Sequence, residues 1–234
     1  MEIKDIKKAH VYAVGRWMIF AMIGIIFLQV IVYVVAPPPA TTYEMFELFE
    51  AKPFMGLLSL DLLYLINNTL LIMIYFSISL FLLAYKPLLS LLSILVGAIG
   101  IASYYASNPA FEFYFLSKGF SLLSTYEKER LLTSGDLLLA NYIGTAFISY
   151  YILNAFALYI YSVSFLLAKD VSKWVGITGL TAAVFMSIPS SFGDVGKIFA
   201  LVSLIPWLVF IVMVSEVFRK KIKATKKDEV LTSS

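Results

Sequence analysis

The chain has no cysteine. Disulfides, thiolate metal sites and cysteine nucleophiles are therefore excluded, and the sequence carries no mark of its redox compartment. Histidine is nearly absent as well: His10 is the only one, in a basic N-terminal segment, and a lone imidazole cannot assemble a metal site. Charge is scarce, at 14% of residues against about a quarter in a soluble domain. No HExxH, GxSxG or P-loop pattern occurs. Gly135-Asp136 and Gly193-Asp194 share only two letters with the GxGD pattern of intramembrane aspartyl proteases, and both aspartates fall in loops. No basic stripe with interleaved aromatics is present, which argues against nucleic-acid binding. No catalytic residue, cofactor or metal is expected, and the chain does not read as an enzyme.

Apolar surface is what the chain has in excess. Hydrophobic residues make up 61% and the mean hydropathy is +0.89, more than a soluble core of 234 residues could hide. Lipid is the matching solvent. Six runs of about 20 residues or more give an all-α, integral membrane bundle with spans at about 17–36, 60–85, 88–106, 139–168, 174–192 and 198–218. The whole chain, 1–234, reads as a single membrane domain ending in a basic cytoplasmic tail, 219–234. The first run is too long for a signal-peptide core and shows no clean cleavage site, so it reads as a retained signal anchor.

Lysine and arginine set the orientation. With six spans, Lys4, Lys7, Lys8, Arg16, Lys86, Lys169, Lys173 and the cluster from Arg219 to Lys227 share one side, thirteen of the 18 basic residues. The other side holds most of the acids, among them Glu44, Glu47, Glu50, Glu112, Glu127, Glu129, Asp136 and Asp194. Both termini are thus expected in the cytoplasm of a multi-pass cell-membrane protein. The basic tail serves stop-transfer and also attracts anionic headgroups, at about 1 kcal/mol per residue near the surface.

Two outer loops carry local signals. In the first, Glu44, Glu47 and Glu50 recur every third residue between Tyr43, Met45, Phe46 and Phe49. This predicts a short amphipathic helix, a connector whose aromatics can dip into the interface. The second, 108–136, is long enough to require structure of its own. Ser124 and Glu127 have capping-box spacing, which predicts a helix from there to Thr133, with Gly135 breaking or bending the chain before the fourth span. Glu112, Glu127, Glu129 and Asp136 are the acids available to Arg130, and Glu112, Arg130 and Asp136 are the candidate outer-cap residues.

Polar side chains inside spans are costly and normally face the bundle interior. Asp61, Tyr64 and Asn68 follow i, i+3, i+7 and share a helix face. Asn67 adjoins them, Gln29 lies in the first span, and Asn141 and Asn154 lie in the fourth. Counting from the basic anchors places these groups in the outer half of the bilayer. One reading makes the amides interhelical glue, worth about 0.6–2 kcal/mol each. The other makes Asp61, Tyr64, Asn67, Asn68, Asn141 and Asn154 the lining of an outward-facing polar pocket. Asn67-Asn68-Thr69 matches a glycosylation pattern but lies too close to the bilayer to serve as one. Small residues in the third span (Gly97, Ala98, Gly100, Ala102) and fifth span (Gly176, Gly179, Ala182, Ala183) permit close helix approach. Pro206 predicts a bend in the sixth, and no 3+3 internal repeat is evident.

Several segments together resemble a known family. Asp61-Leu62-Leu63-Tyr64 with Asn67-Asn68, Ser107-Asn108-Pro109-Ala110-Phe111-Glu112, Glu129-Arg130, Ser134-Gly135-Asp136, Gly144-Thr145-Ala146-Phe147 and Lys173-Trp174-Val175-Gly176 are similar to a bacterial and archaeal membrane family catalogued as domain of unknown function 4386. That family often has Glu where this chain has Asp136. The resemblance implies a six-span bundle and no assigned activity. The leading expectation is a non-enzymatic membrane protein, partnered by the lipid bilayer, that binds or moves a small polar or lipid-like ligand. The alternative is a structural or accessory subunit with a membrane-protein partner or a second copy of itself. An intramembrane enzyme is the third reading.

Overall fold

The computed structural model describes residues 8–233, with side chains for residues 8–225. Of the basic residues used for orientation, Lys4 and Lys7 lie outside the described residues, as do the side chains of Lys226 and Lys227. The described chain is all helical, with no strand. Five helical stretches are long and apolar enough to cross a membrane: Lys8–Val35, Leu62–Leu82, Pro87–Leu116, Thr125–Leu167 and Gly193–Thr225.

Helix α1 (Lys8–Val35) is closed by Pro37-Pro38-Pro39, which cannot donate to a continuing helix. Helix α2 (Thr42–Ala51) opens on a capping box in which Thr41 and Glu44 satisfy each other's backbone N–H groups. Helix α3 (Pro53–Ser59) begins on a proline at its first turn, where the missing N–H costs nothing. Leu60 and Asp61 then break the chain, and α4 (Leu62–Leu82) follows. The expected span 60–85 therefore starts later: Asp61 sits before the helix, at φ 65°, a left-handed conformation that aspartate tolerates better than most residues.

Helix α5 (Pro87–Ser107) stops at Asn108-Pro109, and α6 (Ala110–Leu116) and a 3-10 turn (Phe120–Leu122) lead into α7 (Thr125–Tyr142). The Ser124–Glu127 capping box is formed. Gly135 does not break α7, contrary to expectation. It is buried inside the helix, and a Cβ there would lie 2.4 Å from Thr42 Cγ2 and 2.8 Å from Phe46 Cε2. The glycine is there for close approach of α2. The break comes later, at Ile143-Gly144, so the apolar helix α8 is Thr145–Leu167 rather than 139–168.

Helix α9 (Lys173–Met186) has 14 residues, about 21 Å at 1.5 Å each, short of a hydrocarbon core of about 30 Å. Helix α10 (Gly193–Ser233) runs through Pro206 without interruption. The basic segment after Phe218 continues this helix as far as Ser233.

The chain groups into two compact units. The Asp61 unit comprises Gly24–Asn68 and Ala102–Tyr150. Its apolar core is Met45, Phe46, Phe49, Leu60, Ala110, Phe113 and Phe120, with Phe46 stacked 5.1 Å from Phe120. Phe46 and Phe49 of α2 therefore pack on α6 and the 3-10 turn, while Tyr43 stays exposed. Glu50 ties the same corner by accepting from Ser121 N at 3.0 Å. The Phe210 unit comprises the described residues up to Ile23, Thr69–Ile101 and those from Tyr151 on. Here the small residues act as spacers. A Cβ on Gly179 would lie 2.3 Å from Ser162 Oγ, and one on Gly97 would lie 2.7 Å from Tyr75. Close approach of α9 to α8, and of α5 to α4, needs the missing side chains.

Candidate functional site

The site begins with the turn at Asp61. Leu60 N–H closes α3 on the Gly56 carbonyl at 3.1 Å, and the Asp61 carbonyl opens α4 by accepting from Tyr64 N at 2.9 Å. Asn108 pins this junction. Its Nδ2 donates to Leu60 O at 2.9 Å, and its Oδ1 accepts from Ala110 N at 3.0 Å. With the backbone held on both sides, the Asp61 side chain is directed inward and is 7% exposed.

Four neutral donors surround its carboxylate. Oδ1 accepts from Gln29 Nε2 at 3.3 Å and from the Tyr33 hydroxyl. Oδ2 accepts from the Tyr104 hydroxyl at 3.2 Å and from the Tyr142 hydroxyl. An ionised carboxylate offers about four lone-pair sites and no proton, and here each has a donor. The donors come from α1, α5 and α7, so one side chain joins three helices to the α3–α4 turn. A second ring layer supports them. Tyr64 packs edge-on to Tyr104 at 5.1 Å, its hydroxyl lies 2.8 Å from that of Tyr150, and Tyr104 and Tyr150 are 4.9 Å apart.

Among the described residues the only ion pairs are Lys197–Asp194 and Arg219–Glu216, so none of the described cations pairs with Asp61. Burying an unpaired charge is costly. Hydrogen bonds to an ionised group offset part of that, at about 1.5–3 kcal/mol each. Gln29 Oε1 is buried with no partner, as are Asn67 Oδ1 and Asn68 Oδ1. Tyr33, 42% exposed, is the most open member of the cage.

The structure unites only part of the expected pocket. Asp61 and Tyr64 meet in the tyrosine cluster. Asn68 is fully buried and spends its Nδ2 on the Tyr64 carbonyl at 3.1 Å, while Asn67 is buried beside it. Asn141 is exposed and reaches the Ala106 carbonyl at 3.4 Å. Asn154 belongs to the Phe210 unit, where it accepts from the Tyr75 hydroxyl at 3.3 Å. In the cap, Asp136 accepts from Thr42 Oγ1 and Glu112 is exposed. Arg130 forms no ion pair among the described residues. Its guanidinium lies 5.9 Å from the Tyr126 ring centre, and it lines a shallow cavity of about 300 Å³ with Leu123, Glu127, Leu131 and Ser134. A second cavity, about 240 Å³, lies in the Phe210 unit; Asp61 lines neither.

Tyr33, Tyr104 and Tyr142 were not among the residues singled out from the sequence. Tyrosines near span ends read as interfacial belts, and nothing in their spacing shows that three of them turn toward one carboxylate. No three His, Cys, Asp or Glu side chains converge among the described residues. No family model, curated protein or solved structure matches the chain.

Proposed function

We propose that the chain is a non-enzymatic, six-span cell-membrane protein with both termini in the cytoplasm, which binds a small cationic or hydrogen-bond-donating ligand at Asp61. One observation carries this reading: a buried carboxylate that accepts from four neutral donors and has no cation paired with it among the described residues. The orphaned Gln29 Oε1 beside it wants a donor too. Tyr33 forms the open wall, so rotation of one side chain would bare the carboxylate. The fifth span in chain order is α9 with the residues that follow it, which together with the five long stretches makes six, and the lopsided distribution of lysine and arginine supports the even count. The order and spacing of the segments from Asp61 to Gly176 support placing the chain beside domain of unknown function 4386.

A structural reading has its own observation. The four donors already satisfy Asp61, so the cage is also a clasp that holds three helices to the α3–α4 turn. The two readings part under Asp61→Asn. Purified protein and variant are screened by thermal shift against small cations, polyamines and amino acids. A ligand that stabilises the wild type and not the folded variant supports the binding site. Equal responses from the two proteins to every compound would overturn it and leave the clasp.

A further inference from the structure

The 240 Å³ cavity of the Phe210 unit is lined by Phe81, Val171, Val175, Val212, Met213 and Val217, with Asp170, Ser172, Glu216, Lys220 and Lys221 at its polar end. We propose that it is a binding site for an anionic phospholipid of the leaflet at the basic end of α10, with an acyl chain in the apolar trench and the phosphate on Lys220 and Lys221.

Three features point there. First, the site straddles a sharp change in polarity. Val212 and Met213 belong to the apolar part of α10, and Lys220 and Lys221 follow two turns later, past Phe218. A phospholipid has this same division between chain and head. Second, the lysines are available. Neither is in an ion pair among the described residues. The Lys221 ammonium lies over the Phe81 and Tyr85 rings, 5.7 and 5.9 Å from their centres, which holds it above the trench while its stem covers apolar surface. Third, the acids are already engaged. Glu216 is paired with Arg219 at 2.6 Å, and the exposed Asp170 accepts from the Tyr85 hydroxyl at 3.4 Å. Segments 169–173 and 216–223 hold six cations against these two carboxylates. The volume is below the roughly 300 Å³ at which drug-sized pockets begin, which suits part of one acyl chain rather than a compact ligand.

The test uses the full chain in a neutral detergent, titrated with phosphatidylglycerol, phosphatidylcholine or inorganic phosphate and read by thermal shift. Phosphatidylglycerol should bind the wild type. Lys220→Gln with Lys221→Gln should weaken it by about fivefold per lysine. Lys52→Gln with Lys118→Gln, the same charge change in the Asp61 unit, should leave the affinity unchanged, and Lys220→Arg with Lys221→Arg should retain it. Equal weakening by both Gln pairs would reduce the effect to net charge and overturn the site. So would equal binding of phosphatidylcholine, or a shift with inorganic phosphate as large as with the lipid.

Discussion

Replacing Asp61 in two ways separates the charge of the cage from its hydrogen bonds. Asp61→Ala leaves three tyrosine hydroxyls and the Gln29 amide without their acceptor. A buried donor left unpaired costs about 1–3 kcal/mol. Rotated tyrosines and an admitted water recover part of that, so a net loss of about 4 kcal/mol is expected. The φ of 65° adds to it, because alanine tolerates the left-handed region less well than aspartate. Asp61→Asn is a different experiment. Its amide oxygen can take Tyr104 and Tyr142. Its NH₂ can donate to the Tyr33 hydroxyl and, once the Gln29 amide turns over, to Gln29 Oε1, which has no partner in the native cage. Asparagine also accepts positive φ. The buried charge disappears and one unpaired Gln29 atom replaces another, so stability should stay within about 1 kcal/mol of wild type. Both variants are measured by reversible unfolding in mixed micelles, followed by tyrosine and tryptophan fluorescence. Equal and large losses in Asn and Ala would refute the reasoning, because they would mean that the negative charge itself is held by a cation. Equal and small losses would mean that the cage is not closed in the folded protein.

Gly135→Ala places a methyl 2.4 Å from Thr42 and 2.8 Å from Phe46. Overpacking of that kind costs about 1–3 kcal/mol and should appear as faster amide exchange in α2, with α9 unchanged. In the second cap, Ser124 donates to the Glu127 carboxylate through N and Oγ, which lowers its pKa below the ordinary glutamate value. A lowered folded pKa means that the stabilisation is complete above the unfolded value and is lost as pH falls through the folded one. Amide protection at the start of α7 should therefore drop on acidification in that range, and Glu127→Gln should flatten the profile. The absence of cysteine makes topology directly measurable. His10→Cys and Lys223→Cys should label with an impermeant maleimide only after the membrane is opened, and Ser124→Cys should label on intact cells. Labelling of the first two from opposite sides would replace the even span count with an odd one.

Much of this chain was written in local chemistry. Long apolar runs ended by Pro37-Pro38-Pro39, Lys86-Pro87 and Asn108-Pro109 predict where α1, α4 and α5 stop, because proline and charge act on the backbone within a turn. The Ser124–Glu127 box marks the start of α7 for the same reason. The Thr41–Glu44 box has the same spacing and marks the start of α2. Gly135 shows the limit of such reading. A glycine in a polar stretch looks like a breaker, and only the nearness of Thr42 and Phe46 reveals it as a contact point. The length of α9 was hidden as well, since apolar residues continue past Met186 after the helix has ended.

The amino-acid sequence alone determined that the chain is helical, apolar enough for a membrane and polar at Asp61, because composition and periodicity express solvent preference residue by residue. Tertiary structure alone decided what Asp61 does with its charge. Gln29, Tyr33, Tyr104 and Tyr142 lie on three helices far apart in the chain, and hydrogen bonding depends on where side chains meet rather than on where they fall in sequence. The same physics separated Asn154 and Asn141 from the cage. An amide can satisfy itself on any nearby carbonyl or hydroxyl, and these two found the Tyr75 hydroxyl and the Ala106 carbonyl.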